Sequence, residues 1–257
     1  MSEIKIITSN IRYANPADGP HDWPHRLPLL TELYQNFSPD ILATQEGRIG
    51  QIKELDEKLT NLTLIDSHRE WIDVRMYPCL FVDLKKIKVL RSGDIWLSET
   101  PDVPGSSSFS SSFPRLCTWA EVEIIKTNKK LLIANVHLDH ILNETRTGQV
   151  AVLIAELKKL GDQNIFIMGD FNESPQSQIK NDLMNAFNLK DPWVEKNYKE
   201  ETSHHGFNGN EAAEGSRIDW ILMPAQFECS YLHMEKRSFN NVFPSDHYPM
   251  FATVIPK

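Results

Sequence analysis

The stretch N-I-F-I-M-G-D-F-N-E-S-P, residues 164–175, decides how the rest of the chain is interpreted. Residues 165–168 form a short continuous apolar run ended by a glycine, a pattern typical of a buried strand. Polar groups just beyond such a strand lie at the edge of a sheet, where functional sites are commonly built. We therefore expect Asp170 and Asn172 to belong to a site, and Phe171 to turn back into the core.

The side chains of Asp170 and Asn172 have two chemical interpretations. Residues two apart in an extended strand point the same way, so the carboxylate could accept a proton from a water molecule that the carboxamide holds in position. Alternatively, both side chains bond to their own backbone in an Asx turn. The choice between the two depends on the other polar residues of the chain.

Composition limits the class of protein. The 257 residues are 40% hydrophobic and 24% charged, as in ordinary globular proteins, and we expect a single domain over residues 1–257. The net charge is −8, the pI is about 5.6, and Lys and Arg form no long run. Surfaces that bind nucleic acid are basic, so this charge disfavours nucleic acid as a partner without excluding it.

Cysteine usage and hydropathy predict a cytoplasmic location. Cys79, Cys117 and Cys229 are far apart and odd in number, which favours reduced thiols. The chain shows no charged-then-apolar leader, and no apolar run reaches the ~18 residues of a transmembrane helix. The sequence carries no signal for an oligomeric state.

Hydrophobic periodicity predicts an α/β protein with mixed sheets. Helices are expected over residues 26–37, 51–59, 145–160 and 179–187, and strands over residues 4–8, 41–44, 62–66, 80–84, 87–90, 116–125, 131–138, 165–168, 217–223, 227–234 and 250–254. Several strands follow one another without an intervening helix, which excludes a purely parallel sheet. The serine-rich residues 105–112 are expected to form a mobile surface loop.

One feature recurs along the chain: a short apolar strand that ends in a polar group able to bind metal or phosphate. The instances are Asn10, Glu46, His137, Asp170 with Asn172, Asp219, and Asp246 with His247. Each alone has an ordinary explanation, such as a solvated loop residue for Glu46 or a core histidine for His247. A carboxylate at the end of a strand can instead hold Mg²⁺, which takes one or two protein carboxylates and keeps several waters.

The order and spacing of these motifs resemble the endonuclease/exonuclease/phosphatase superfamily, which includes type I deoxyribonucleases and inositol polyphosphate 5-phosphatases. The motifs that carry the resemblance are S-N-I-R-Y at 9–13, P-D-I-L-A-T-Q-E at 39–46, N-V-H-L-D-H at 135–140, G-D-F-N-E-S-P at 169–175, R-I-D-W-I at 217–221 and S-D-H-Y-P at 245–249. The runs at 95–102 and 114–120 resemble a bacterial subgroup without an assigned substrate.

The resemblance implies a fold and a reaction. The fold would be a four-layer α-β-β-α sandwich, in which two mixed β-sheets are flanked by helices and the site lies in a cleft at one end. The reaction would be hydrolysis of a phosphoric ester by an activated water, with Mg²⁺, or alternatively Mn²⁺, as cofactor.

The resemblance also implies a role for each strand-end residue. Carried over by position, the residues that would bind the divalent metal are Asn10, Glu46 and Asp246. Asp170 and Asn172 would hold and activate the attacking water. The residues that would act at the phosphate are Asp219, His247 and His137. Asp219 would orient His247, since a carboxylate beside a histidine fixes its tautomer and raises its pKa. His137 would contact the phosphate on the leaving-group side or help to protonate it. His140 is interpreted as structural or peripheral.

The chain departs from the bacterial subgroup before the strand that begins near Cys79. Relatives usually carry a Gly-Arg-Asp-Asp-Gly segment and then a glutamate that pairs with the site, whereas residues 68–78 here read H-R-E-W-I-D-V-R-M-Y-P. Glu70 and Asp73 are alternative substitutes for that glutamate.

Several cationic residues are candidates for contacting the substrate. Arg115, like Arg69 and Arg75, could bind phosphate through its guanidinium group or could form an ordinary ion pair. The run H-H-G-F at 204–207, which contains His205, lies where relatives have a loop that faces the substrate, and the alternative is a solvated polar loop.

These observations predict a Mg²⁺-dependent phosphoesterase whose substrate is a small phosphorylated metabolite, attacked as a phosphodiester or phosphomonoester. A nuclease acting on DNA or RNA suits the superfamily but not the charge. Cleavage of a phosphosphingolipid would need an apolar loop that docks on a membrane. Phe109 and Phe113 are the only aromatic residues in and beside the serine-rich loop. A catalytically silent binding module would have lost at least one of the motif residues, and all are present.

Overall fold

A computed structural model describes residues 3–161, 164–209 and 215–257. Twelve strands lie in these ranges and form two six-stranded sheets. In chain order the strands are β1 (Ile4–Asn10), β2 (Ile41–Gly47), β3 (Thr63–Leu64), β4 (Tyr77–Val82), β5 (Ile87–Trp96), β6 (Leu116–Ile124), β7 (Lys129–His137), β8 (Asn164–Asp170), β9 (Leu189–Lys190), β10 (Asp219–Pro224), β11 (Phe227–Met234) and β12 (Met250–Pro256).

Both sheets are mixed. The strand order is β11-β12-β1-β2-β4-β3 in the first sheet and β5-β6-β7-β8-β10-β9 in the second. Strands β1 and β2 pair in parallel, as do β7 and β8, and the other described pairs are antiparallel. The parallel pairs lie near the middle of each sheet, so the ends of β1, β2, β7 and β8 come together at one end of the sandwich.

Helices cover the outer face of each sheet. They are α1 (Trp23–Phe37), α2 (Ile49–Lys58), α3 (Asn143–Lys159), α4 (Gln178–Phe187) and the short α5 (Pro192–Glu195). Apolar residues of α1 and α2 pack with those of β1 and β2, and apolar residues of α3 and α4 pack with those of β7 and β8. A third apolar cluster fills the space between the sheets. The predicted four-layer α-β-β-α sandwich is therefore confirmed.

Among the boundaries that differ from the sequence-based expectation are those of helix α1 and strand β3. Helix α1 begins at Trp23 rather than at residue 26, because the Asp22 side chain caps it and a proline occupies the first turn. Strand β3 is only two residues long, although residues 62–66 were expected to be extended. None of the helices in the described ranges is long and apolar enough to cross a membrane.

A buried polar network joins the two sheets beneath the strand ends. The Gln45 side-chain amide donates to the Asn135 side-chain oxygen (2.7 Å). The Asn135 amide in turn donates to the carbonyls of Thr44 and Cys79, both at 2.9 Å. Because a buried polar group is costly without partners, these bonds fix how the sheets sit against each other.

A buried ion pair lies on the same side of the sandwich. Arg69 donates two hydrogen bonds of 2.7 Å to Asp94, and Thr118 donates to the same carboxylate at 2.8 Å. Burial alone would raise the pKa of Asp94, but hydrogen bonds from Arg69 and His68 outweigh it and lower the pKa to about 2. Asp94 is thus ionised at neutral pH and compensates the Arg69 charge.

Removing one partner of this ion pair should destabilise the fold. We expect Asp94→Asn to lower the free energy of unfolding by about 3–5 kcal/mol, because Arg69 would remain buried without a carboxylate. Urea denaturation followed by circular dichroism measures this. Glu201→Gln, which removes the partner of Lys236 in an exposed ion pair, is the control and should change stability by under about 1 kcal/mol. Equal effects of the two variants would contradict the role given to Asp94.

Candidate active site

Strand register places three predicted site residues side by side in the second sheet. Strand β8 lies between β7 and β10, and its last residue, Asp170, is opposite His137 of β7 and Asp219 of β10. Asp170 is only 1% exposed. Phe171 then turns into the core and stacks on Trp220 with ring centroids 4.2 Å apart, as expected.

The glycine of the G-D-F-N motif is required by the parallel pairing of β7 and β8. Gly169 has φ +135, and a Cβ atom there would lie 2.0 Å from the Val136 carbonyl oxygen. No side chain fits at that distance, so only glycine lets the two strands approach. The backbone contact holds His137 opposite Asp170.

The first sheet reaches this cluster through Asn10. The Asn10 amide nitrogen donates to Asp170 Oδ2 (2.9 Å) and to Glu46 Oε1 (3.0 Å). Asn10 is buried at the end of β1, and Glu46 lies near the end of the parallel neighbour β2. One carboxamide therefore joins carboxylates that belong to different sheets.

Glu46 is aimed at the site by an irregularity in β2. The register with β4 shifts between Thr44 and Gly47, and Glu46 has φ 68, in the left-handed region. Non-glycine residues rarely adopt this conformation, and it is concentrated at functional sites. The Tyr13 backbone N–H donates to Glu46 Oε2 at 3.2 Å, which holds the carboxylate in place.

The loop before β12 supplies Asp246. Ser245 donates to the Asn10 carbonyl at 2.6 Å, which ties this loop to the end of β1. Asp246 Oδ2 lies 3.7 Å from Arg12 Nε and 3.8 Å from His204 Nε2. Burial opposes ionisation, but the nearby His204, His247 and Arg12 outweigh it and hold the pKa of Asp246 below its usual range.

His247 is oriented by Asp219, as the resemblance implies. Its Nδ1 lies 2.9 Å from Asp219 Oδ2, which also accepts a hydrogen bond from Ser203 at 2.6 Å. Nε2 is left facing Asp170 Oδ2 at 3.8 Å. Burial by itself would lower the pKa of His247, but the charges of Asp219 and Asp170 raise it well above its usual value.

Burial also acts on the acids of this cluster. Burial and the neighbouring Asp219 raise the pKa of Asp170 to about 7, despite the opposing effects of His247 and Asn10. Ligand atoms of Glu46, Asp170 and His247 all lie within 4.8 Å of one another. The converging oxygens of Glu46 and Asp170 fit the donor set of a hard divalent cation.

The backbone of Asn172 is not extended, although one interpretation of the sequence required extended geometry at this residue. Strand β8 ends at Asp170, and Asn172 has φ 50, so alternation along a strand does not relate the two side chains. The Asn172 backbone N–H donates to Asp170 Oδ1 at 2.9 Å, which is an Asx-type turn. The Asx turn and the site coexist, because Asp170 Oδ2 remains directed at Asn10.

Arg115 lies beside the predicted phosphate-binding histidine. Its Nη1 is 3.0 Å from both ring nitrogens of His137, and its Nη2 is 3.2 Å from His140 Nδ1. Burial, followed by the charges of Arg115 and His247, lowers the pKa of His137 well below its usual value, so the ring is neutral. His137 Nε2 lies 3.5 Å from Asp170 Oδ2, which connects this pair to the carboxylate cluster.

Other candidates lie away from the carboxylates. His205 is buried, stacks on Tyr248 with centroids 4.0 Å apart and accepts a hydrogen bond from the Gly209 N–H. Glu70 and Asp73 are exposed, and neither forms an ion pair or hydrogen bond with a site residue in the described ranges. Arg69 forms its ion pair with Asp94 inside the fold.

Sequence patterns did not indicate Ser203, and His204 was indicated only as part of the H-H-G-F run at 204–207. Ser203 is buried and bonds Asp219 together with the backbone N–H groups of Ile218 and Asp219. The His204 ring centroid lies 4.7 Å from that of His247. Both residues belong to an irregular polar segment, where no periodicity predicts which side chains face the site. The only available signal was the H-H-G-F run itself.

Comparison with known proteins agrees with the fold. A profile of the Endonuclease/Exonuclease/phosphatase family matches residues 7–247. An endonuclease/exonuclease/phosphatase from Bacteroides vulgatus is 26% identical, with a TM-score of 0.91 over 100% of both chains. A mannosyl-6-phosphatase from Bacteroides thetaiotaomicron is 27% identical, with a TM-score of 0.87 over 98% of this chain and 99% of that one.

A curated relative is also similar over part of its length. Carbon catabolite repressor protein 4 homolog 3 of Arabidopsis thaliana is 25% identical over 183 residues, which are 68% of this chain and 38% of that protein. The chain therefore matches less than half of that relative. The chain belongs to the Endonuclease/Exonuclease/phosphatase family, whose members are hydrolases that act on phosphate esters.

Adding a methyl group at Gly169 should disrupt the site. We expect Gly169→Ala to lower the activity of the enzyme about 100-fold or more and to destabilise the fold, because β7 and β8 must separate and shift His137 relative to Asp170. Gly50→Ala in α2 is the control, since a Cβ there meets no atom within 4 Å. Thermal unfolding measures the stability of both variants, and a phosphatase assay measures their activity. Wild-type behaviour of Gly169→Ala would rule out the close strand contact.

Proposed function

We propose that this chain is a divalent-metal-dependent phosphoesterase that hydrolyses a small phosphorylated metabolite by attack of an activated water. The observation that carries the proposal is the convergence on Asp170 of Asn10, His137 and His247, which come from three separate segments. Residues buried together in this way make a site rather than a set of unrelated turns.

The metal would be held by oxygen ligands at the centre of the acidic cluster. Glu46, Asn10 and Asp246 are the proposed metal residues, and the carboxylate oxygens of Glu46 and Asp246 suit Mg²⁺ or Mn²⁺. Asn10 would supply its side-chain oxygen after rotation of the amide, whose nitrogen is directed at Glu46 and Asp170. When bound, the metal would neutralise negative charge on the phosphate oxygens.

The residues around the metal position would carry out the remaining steps. Asp170 and Asn172 would hold the attacking water, with an Asp170 carboxylate oxygen as the acceptor of its proton. The positively charged His247 would donate from Nε2 to a phosphate oxygen, and Asp219 would keep its ring in position through the 2.9 Å bond to Nδ1.

Arg115 and His137 would act on the opposite side of the phosphate. Arg115 is 6% exposed, and no carboxylate in the described part of the chain forms an ion pair with it. A buried guanidinium without an acid partner is suited to an anionic oxygen of the substrate. The neutral His137 can donate an N–H hydrogen bond on the leaving-group side. His205 would support the loop that carries Asp246, whose carbonyl accepts from the His205 backbone N–H.

A phosphomonoester is the substrate that the observations favour. The net charge of −8 is unsuited to a long polyanion, and the similar mannosyl-6-phosphatase acts on a phosphorylated sugar by its name. A diester or nucleic acid remains the alternative outcome of the assay below.

The assay compares p-nitrophenyl phosphate with bis(p-nitrophenyl) phosphate in Mg²⁺, Mn²⁺ or EDTA. We expect turnover that needs the metal, prefers the monoester and falls at least about 100-fold in Asp170→Asn and His247→Gln. His233→Gln, on the edge strand β11, is the matched histidine control and should retain activity.

Preference for the diester would favour the nuclease alternative. Turnover that is unaffected by EDTA would contradict the metal requirement. Full activity of Asp170→Asn would place the chemistry elsewhere in the protein.

A further inference from the structure

Two stacked exposed rings lie next to Arg115. The rings of Phe113 and His140, here called the aromatic shelf, have centroids 6.1 Å apart and planes inclined by 18°. Phe113 is 46% exposed, which is unusual for a phenylalanine in a folded protein. The Arg115 guanidinium is 5.9 Å from the Phe113 ring and bonds His140, so the shelf continues directly from the proposed phosphate contact.

Hydrogen bonds to the rest of the protein fix the two segments that carry the aromatic shelf. Asp139 accepts hydrogen bonds from Ser111 and Ser112 with one oxygen, and from Ile141 and Leu142 with the other. One carboxylate therefore ties the segment that leads to Phe113 to the segment that begins at His140. These bonds anchor the serine-rich residues 105–112, which were expected to form a mobile surface loop, at Ser111 and Ser112.

A second set of contacts fastens the same segment to α3. Thr145 donates to the Phe109 carbonyl. Phe109 packs so closely on Gly148 that a Cβ there would be 2.7 Å from its ring. Phe109 therefore packs against the helix, and of the two phenylalanines Phe113 is the one whose ring is exposed.

The bond from Arg115 also determines what His140 presents. An arginine can only donate, so His140 Nδ1 must accept and carries no proton. The neutral ring then has its proton on Nε2, which becomes a hydrogen-bond donor. Burial and the charge of Arg115 lower the pKa of His140, in agreement with a neutral ring.

We infer that the aromatic shelf of Phe113 and His140 binds the ring of a cyclic sugar whose phosphate group lies against Arg115. The Phe113 face would stack on the C–H side of the sugar ring, and His140 Nε2–H would donate to a ring hydroxyl. The inference rests on the proposed phosphoesterase function and adds a substrate class to it. An acyclic phosphomonoester would reach Arg115 but would leave the shelf uncovered.

The order of groups along the wall favours a ring attached close to the phosphate. Arg115 lies between the shelf and His137, and His137 is the neighbour of Asp170. A phosphate near Asp170 and Arg115 therefore places the carbon skeleton of its ester next to the shelf. Apolar faces with a few fixed polar groups are how small-molecule sites discriminate.

The test compares mannose 6-phosphate with glycerol 3-phosphate by release of inorganic phosphate in Mg²⁺. We expect wild type to have the higher kcat/KM for the cyclic ester. Phe113→Leu, which keeps the apolar volume but removes the flat face, should lower the ratio of the two kcat/KM values about fivefold, the effect of one stacked aromatic contact. Phe113→Tyr keeps the face and should retain the ratio.

Controls separate this inference from the proposed function. Val103→Ala, at an exposed apolar residue of the same loop, should leave both the ratio and the activity unchanged. Equal hydrolysis of the two esters by wild type, an unchanged ratio in Phe113→Leu, or turnover of p-nitrophenyl phosphate alone would overturn the aromatic shelf and leave the phosphoesterase intact. Metal-dependent hydrolysis of none of the three esters would overturn both.

Discussion

The contact between Gly169 and the Val136 carbonyl is the constraint on which the site depends. Two parallel strands can approach this closely only where one residue has no side chain. The contact sets the register that places His137 opposite Asp170, and the antiparallel neighbour β10 then adds Asp219 on the other side. A backbone requirement of a single glycine thus determines three side-chain positions.

The site gathers negative charge that a folded protein would ordinarily avoid. Asp170 and Asp219 are both buried on adjacent strands, and Glu46 is brought beside Asp170 by a strained backbone conformation. Among the described residues, His247 lies against both Asp219 and Asp170, and the Asn10 amide donates to Glu46 and Asp170. Such an arrangement costs stability unless a cation completes it, which is why it is evidence for function rather than for folding.

The sequence was sufficient for the layers and for most of the site, since short apolar strands followed by polar residues identify strand ends without further information. Asn10, Glu46 and Asp170 were named in this way, and the structure brings their side chains together. The sequence was insufficient wherever the position of a side chain depends on contacts between distant segments of the chain. Asn172 takes a left-handed conformation that strand alternation does not predict, and Ser203 reaches Asp219 from an irregular segment 16 residues earlier.

The serine-rich segment, residues 105–112, is a second place where the sequence alone does not predict contacts between distant segments. Its composition is that of a flexible linker, yet Asp139, which lies 27 residues beyond Ser112, fixes its backbone. Because Asp139 follows β7 by two residues, the β7–β8 pairing that places His137 also positions the acid that holds the aromatic shelf. The reacting centre and the proposed substrate wall therefore share one structural origin, so a change in the strand contact would alter activity and selectivity together.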